Sequence, residues 1–135
     1  MKLNNQSIQF ITIFETLTRA SVKDCFFSNE KVVFIVNPGN IFKAVGSNGK
    51  NVHKIERLLK KRVKVVEFSP DPVKFIRNYL FPIKPKIIEM KSDNIEIKAE
   101  TSNEKGILIG RDRKNLTNLK EVIGKYFKIN DIKIL

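Results

Sequence analysis

Two short segments hold the residues whose types and spacing could do chemistry: VGSNGKN at positions 45–51 and IGRDRKN at 109–115. Each places a β-branched apolar residue before a glycine, then three variable positions, then Lys-Asn. A glycine has no β-carbon, so it lets a phosphate come close to the peptide backbone and it reaches conformations with positive φ. A loop of this kind that opens a helix adds unpaired N–H groups and the positive end of a dipole, both of which favour an anion. The candidate binding residues are therefore Gly46, Ser47, Asn48 and Gly49 in the first segment. In the second they are Gly110, Arg111, Arg113 and Lys114. Arg113 stands where the second glycine would be: its β-carbon holds a phosphate backbone off, while the Arg111 and Arg113 guanidiniums reach towards it. Asp112 offsets part of that charge. Lys50, Lys54, Arg57 and Lys61 follow the first loop at i, i+4, i+7 and i+11, a basic stripe on one helix face.

Other chemistry is poorly supported. A triphosphate-binding loop needs four residues between its glycines and a Ser or Thr after the lysine; here two residues separate Gly46 from Gly49, and Asn51 follows Lys50. A dinucleotide fingerprint is absent. Cys25 and His53 are the only residues of their types. That leaves no disulfide, no Cys/His zinc set and no Ser-His-Asp or Cys-His constellation, so we expect no cofactor and no enzyme. Cys25, beside Phe26 and Phe27, reads as a small buried hydrophobe, and His53 as part of a solvated helix face.

Charge points to the class of partner. The chain has 26 Lys and Arg against 14 Asp and Glu, a net charge of +12. Residues 1–68 hold 12 bases and 5 acids and residues 69–135 hold 14 and 9, so both halves are basic. A folded basic protein suits a polyanion, most often nucleic acid; the alternative is charge serving solubility alone. No apolar run reaches the roughly 20 residues of a membrane span, and the first residues do not read as a signal peptide, so a cytoplasmic location is expected.

The elements that must position the loops repeat as well. VGSNGKNVHKIERLL (45–59) aligns without a gap to IGRDRKNLTNLKEVI (109–123). Val52, Ile55, Leu58 and Leu59 correspond to Leu116, Leu119, Val122 and Ile123, one apolar helix face in each copy. A strand is predicted after each helix, at 62–68 and 127–135. Upstream, 24–37 and 85–100 read as hairpins turning at 28–31 and 91–94. A helix precedes each hairpin: 7–20, with Ile8, Ile11, Phe14 and Leu17 as its face, and 71–81, with Asp71 as N-cap and Pro72 at the first position. Short helices at 39–45 and 103–109 lead into the loops. The ten phenylalanines read mainly as core, among them Phe14, Phe34, Phe42, Phe68 and Phe75. The fold class is α+β: two domains, 1–69 and 70–135, each a small three-stranded sheet covered by helices. Neither is large enough for an extensive core, so the two are expected to pack together.

A Gly-x-x-Gly loop between two helices, after a hairpin and before a strand, resembles the KH domain in its type II order. The tandem arrangement over about residues 7–134 is similar to the archaeal NusA family of transcription factors. Gly46-Ser47-Asn48-Gly49 matches the family loop in full; Gly110-Arg111-Asp112-Arg113 departs from it at Arg113. The resemblance implies a non-enzymatic single-stranded RNA-binding factor in transcription termination or antitermination, with RNA polymerase or other transcription components as candidate partners. KH recognition clamps about four nucleotides at this loop. A ribosome-associated KH-type protein and a duplex-DNA binder using residues 51–62 as a recognition helix remain open alternatives.

Overall fold

The computed structural model describes residues 4–135, in two compact units that divide between Ser69 and Pro70. The first unit runs α1 (Asn5–Thr18), β1 (Val22–Ser28), β2 (Lys31–Val36), α2 (Ile41–Val45), α3 (Lys50–Leu59) and β3 (Arg62–Glu67). The second repeats that order with α4 (Pro72–Leu80), β4 (Ile87–Lys91), β5 (Asn94–Lys98), α5 (Ser102–Ile109), α6 (Lys114–Gly124) and β6 (Asp131–Ile134). The architecture is α+β, with one three-stranded sheet per unit.

Each sheet places the middle strand of the sequence in its centre, in the orders β1-β2-β3 and β4-β5-β6. The first pair is antiparallel and closed by a tight turn; Ser28 pairs with Lys31, and Lys91 with Asn94. The second pair is parallel, with Phe34 opposite Val65 and Ile95 opposite Ile132. A parallel pair cannot be joined by a hairpin and needs a crossover. In this chain the crossover is helix, glycine loop, helix, so pairing of the sheet holds both ends of each loop.

Phe10, Phe14, Cys25, Val32, Phe34, Ala44 and Ile55 form the core of the first unit. The Phe14 and Phe34 rings stack 4.2 Å apart. Burial of Cys25, with Asp24 beside it, pushes its thiol pKa up to about 12. The thiolate is the reactive form, so the folded protein is expected to resist a thiol reagent at pH 8 and to react only after unfolding in denaturant. Fast labelling of the native protein would contradict this packing. In the second unit Leu116, Leu119, Val122 and Ile123 are all buried, as their spacing predicts, against a sheet face bearing Ile95, Ile97 and Ile132.

Three expectations fail in detail. The buried positions of α1 are Ser7, Phe10, Phe14 and Thr18, whereas Ile8 is exposed and Ile11 and Leu17 lie half-buried at the flanks. Of the expected apolar face on α3, only Ile55 is fully buried, and Leu58 is 60% exposed. Among the phenylalanines, Phe14, Phe34 and Phe75 are core, but Phe68 is half-buried and Phe42 is 87% exposed.

Candidate nucleic-acid interface

The two loops share one backbone conformation. Gly46 has φ 76° and ψ 170°, and Gly110 has φ 78° and ψ 169°. Asn48 lies at φ 54°, ψ 30° and Asp112 at φ 55°, ψ 30°. Gly49, at φ 72°, ψ 18°, is matched by Arg113 at φ 62°, ψ 20°. Each loop is a single 3-10 turn, Ser47–Gly49 or Arg111–Arg113, closed by a bond of 3.2 Å from the fourth residue's N–H to the first glycine's carbonyl. Arg113 therefore leaves the loop's shape intact. It accepts a left-handed conformation costing an L-residue about 1 kcal/mol.

The first glycine cannot be replaced so easily. At Gly46 a β-carbon would stand 3.0 Å from the Asn51 side chain and 3.1 Å from its backbone nitrogen. At Gly110 it would stand 2.8 Å from both the backbone nitrogen and the side chain of Asn115. At Gly49 the nearest atom would be His53 Nε2, at 3.5 Å. Space and conformation thus demand glycine at the first position and only tolerate it at the second.

Asn51 and Asn115, to which the sequence reading gave no role, explain the crowding. Asn51 Nδ2 donates to the Lys43 carbonyl at 2.8 Å, and Asn115 Nδ2 donates to the Ile107 carbonyl at 2.7 Å. Each amide reaches back from the first turn of one helix to the last turn of the preceding one, stapling the loop closed. The repetition of Lys-Asn in both segments was the available signal. Gly46 also ends α2, its N–H donating to the Phe42 carbonyl at 2.9 Å, so a capping role and a loop role coexist.

The helices that follow the loops lack the side-chain N-caps of α1, α4 and α5, as the short α2 also does. Asn4 caps α1, Asp71 caps α4 and Thr101 caps α5 through side-chain oxygens. Neither α3 nor α6 has a side-chain cap, and neither has an acidic residue in its first turn. At the first loop the positive dipole end has no carboxylate beside it, which suits an anion; at the second, Asp112 stands just before the helix.

Ser47, Asn48 and Lys50 are exposed, and Gly46 and Gly49 half-buried, at the first loop. Lys54 and Arg57 extend the exposed basic side of α3. Lys61 does not lie on that helix, because Lys60 takes a left-handed conformation (φ 56°) that ends it. The Lys61 ammonium sits 5.5 Å from the centre of the Phe27 ring instead. Leu58 places an exposed apolar side chain among these bases. At the second loop Arg111, Arg113 and Lys114 are all exposed, and Gly110 is half-buried. Lys64 is a base of another kind: burial, reinforced by Lys31, lowers its pKa to about 8. Among the described residues no group of His, Cys, Asp or Glu is placed to hold a metal ion, and no helix is long and apolar enough to cross a membrane.

Comparison with known proteins adds three findings. The KH domain family matches residues 11–99, a span that runs from within α1 to just past β5. Proteins named probable transcription termination protein NusA are similar along the whole chain. That of Halobacterium salinarum is 32% identical, covering 99% of this chain and 98% of its own. That of Methanocaldococcus jannaschii is 30% identical, covering 100% of this chain and 75% of its own. The crystal structure of APE1850 superposes with a TM-score of 0.74 over 98% of this chain and 100% of that one, at 23% identity, a likeness of fold.

Proposed function

Because the chain belongs to the KH domain family and is of the archaeal NusA type, we propose that it is a non-enzymatic factor that grips single-stranded RNA during transcription termination or antitermination. In this reading the two units are tandem type II KH domains, 1–69 and 70–135. Their loops take successive stretches of one strand, the first more tightly than the second. RNA polymerase or other transcription components are the further partners in this reading.

The observation that carries it is the pair of loops of one shape, each opening a helix with no side-chain cap and no acid in its first turn, in a chain of charge +12. Gly46 to Gly49 offers backbone N–H groups where a phosphate can come close. Lys50, Lys54 and Arg57 then supply charge along the strand, with Lys61 beyond the helix end. At the second loop Arg111, Arg113 and Lys114 reach outward past Gly110, and Asp112 partly offsets them.

Fluorescence anisotropy with matched oligonucleotides tests the proposal. Single-stranded RNA is expected to bind more tightly than duplex DNA, and log K to fall with log salt by about 0.7 for each phosphate neutralised. Equal or tighter binding to duplex DNA would overturn it in favour of a helix reading the major groove.

A further inference from the structure

One exposed aromatic ring stands beside the first loop without a structural reason. Phe42 is 87% exposed on α2, four residues before Gly46, to which its carbonyl is bonded. That bond of 2.9 Å holds the Phe42 backbone directly against the start of the loop, so ring and loop are neighbours. A helical turn advances about 5.4 Å, one to two steps of a strand with about 3.4 Å between stacked nucleotides.

The other well-exposed phenylalanines are engaged. Lys61 covers Phe27 at 5.5 Å, and Lys84 covers Phe81 at 5.9 Å. Among the described residues no cation covers Phe42. Its surroundings are basic, with Lys43 next in the chain and Lys50 across the loop, both exposed. An exposed apolar ring in a basic stretch suits a partner that brings both a flat π-surface and negative charge.

The second unit is different at the same address. Aligning Gly46 with Gly110 sets Phe42 against Gly106, which is exposed within α5 and would meet nothing within 4 Å if it bore a β-carbon. Glycine inside a helix is unfavourable, and here no packing demands it. The two units thus present a bulky ring and a bare backbone at equivalent places, while the loops beside them keep one shape.

The geometry points to Phe42 as the stacking platform for one nucleobase of the strand whose phosphate lies at Gly46–Gly49. The assignment rests on the RNA-binding reading above and adds a base contact to a site otherwise built for phosphate. It makes the first unit the one that senses whether a base is present next to the gripped phosphate.

The chain has no tryptophan, so Phe42→Trp creates a single indole reporter. A single-stranded oligouridylate should quench that indole with the same midpoint as the anisotropy change. An oligomer of equal length lacking bases should bind through charge but leave the emission unchanged. Phe42→Ala should weaken binding to oligouridylate about tenfold to a hundredfold with an unaltered salt slope, because no charge is removed. The ring is exposed, so circular dichroism should show an unchanged fold. The assignment is overturned if Phe42→Ala binds as the unaltered protein does, or if the indole stays silent while anisotropy reports bound RNA. An indole silent to RNA but responsive to purified RNA polymerase would also overturn it and make Phe42 a protein contact. Failure of the unaltered protein to bind any single-stranded RNA would sink the RNA-binding reading itself, and this assignment with it.

Discussion

Replacing Ser47 and Asn48 together by aspartate is expected to cost the protein roughly a hundredfold or more in RNA affinity while leaving it folded. Like charges brought together at an interface cost several kcal/mol, and these two would face the phosphate where it comes nearest. Both side chains are exposed, so nothing in the core is disturbed. The backbone also accepts the change. Asn48 sits at φ 54°, and Asp112 already occupies the equivalent place in the second loop at φ 55°. The new carboxylates would lie at the uncapped start of α3, where a negative charge favours the helix. Stability should therefore hold or rise slightly as binding collapses. Thermal melting and anisotropy on the same sample measure the two effects separately. Unchanged affinity in a normally melting double variant would remove this loop from the interface.

How much of this was legible in the sequence depends on how local each signal is. The order of elements is legible because every boundary has its own chemistry: Asp71 and Pro72 start α4, and the hairpin turns separate alternating strands. The apolar face of α6 is legible because Leu116, Leu119, Val122 and Ile123 have no competing stripe on their helix. In α1 apolar residues stand at 8, 10, 11, 13, 14 and 17, which allows more than one stripe. The Phe14–Phe34 stack and the Phe10–Phe27 edge contact at 5.9 Å are tertiary facts, and they turn the helix so that Ile8 faces water. Leu58 fails for another reason: Ile55 and Leu59, four apart, take the core side of α3, which leaves Leu58 exposed.

The loop itself divides in the same way. Its residues announce an anion cradle, but not which glycine is indispensable, because that depends on an asparagine five positions on. Asn51 and Asn115 act through side-chain bonds to carbonyls eight residues back, a contact that no propensity encodes. Phe42 illustrates the converse. A phenylalanine on a helix is by default core, and only its exposure in the fold separates it from Phe14.

The two glycine positions of the second loop are expected to answer substitution in opposite ways. Gly110→Ala forces a β-carbon to within 2.8 Å of the Asn115 nitrogen, in a region of φ and ψ that essentially only glycine occupies. Backbone has to move, the Asn115 staple has to open, and a loss of about 2–3 kcal/mol in stability is expected, read by thermal or denaturant unfolding. Arg113→Gly restores the residue type that Gly49 uses at nearly the same angles, so the fold should be almost indifferent. What Arg113→Gly removes is one cation and one β-carbon in front of the strand. If the second loop works by charge, RNA affinity falls and the salt slope drops by about 0.7, as it should for Arg111→Ala. If it works by backbone approach, as proposed for the first loop, Arg113→Gly binds more tightly and Arg111→Ala does not. Two exposed guanidiniums around a single carboxylate, Asp112, favour the charge outcome. Should neither arginine variant change affinity or footprint length, the second unit supports the first without touching RNA. The grip would then lie in residues 46–62.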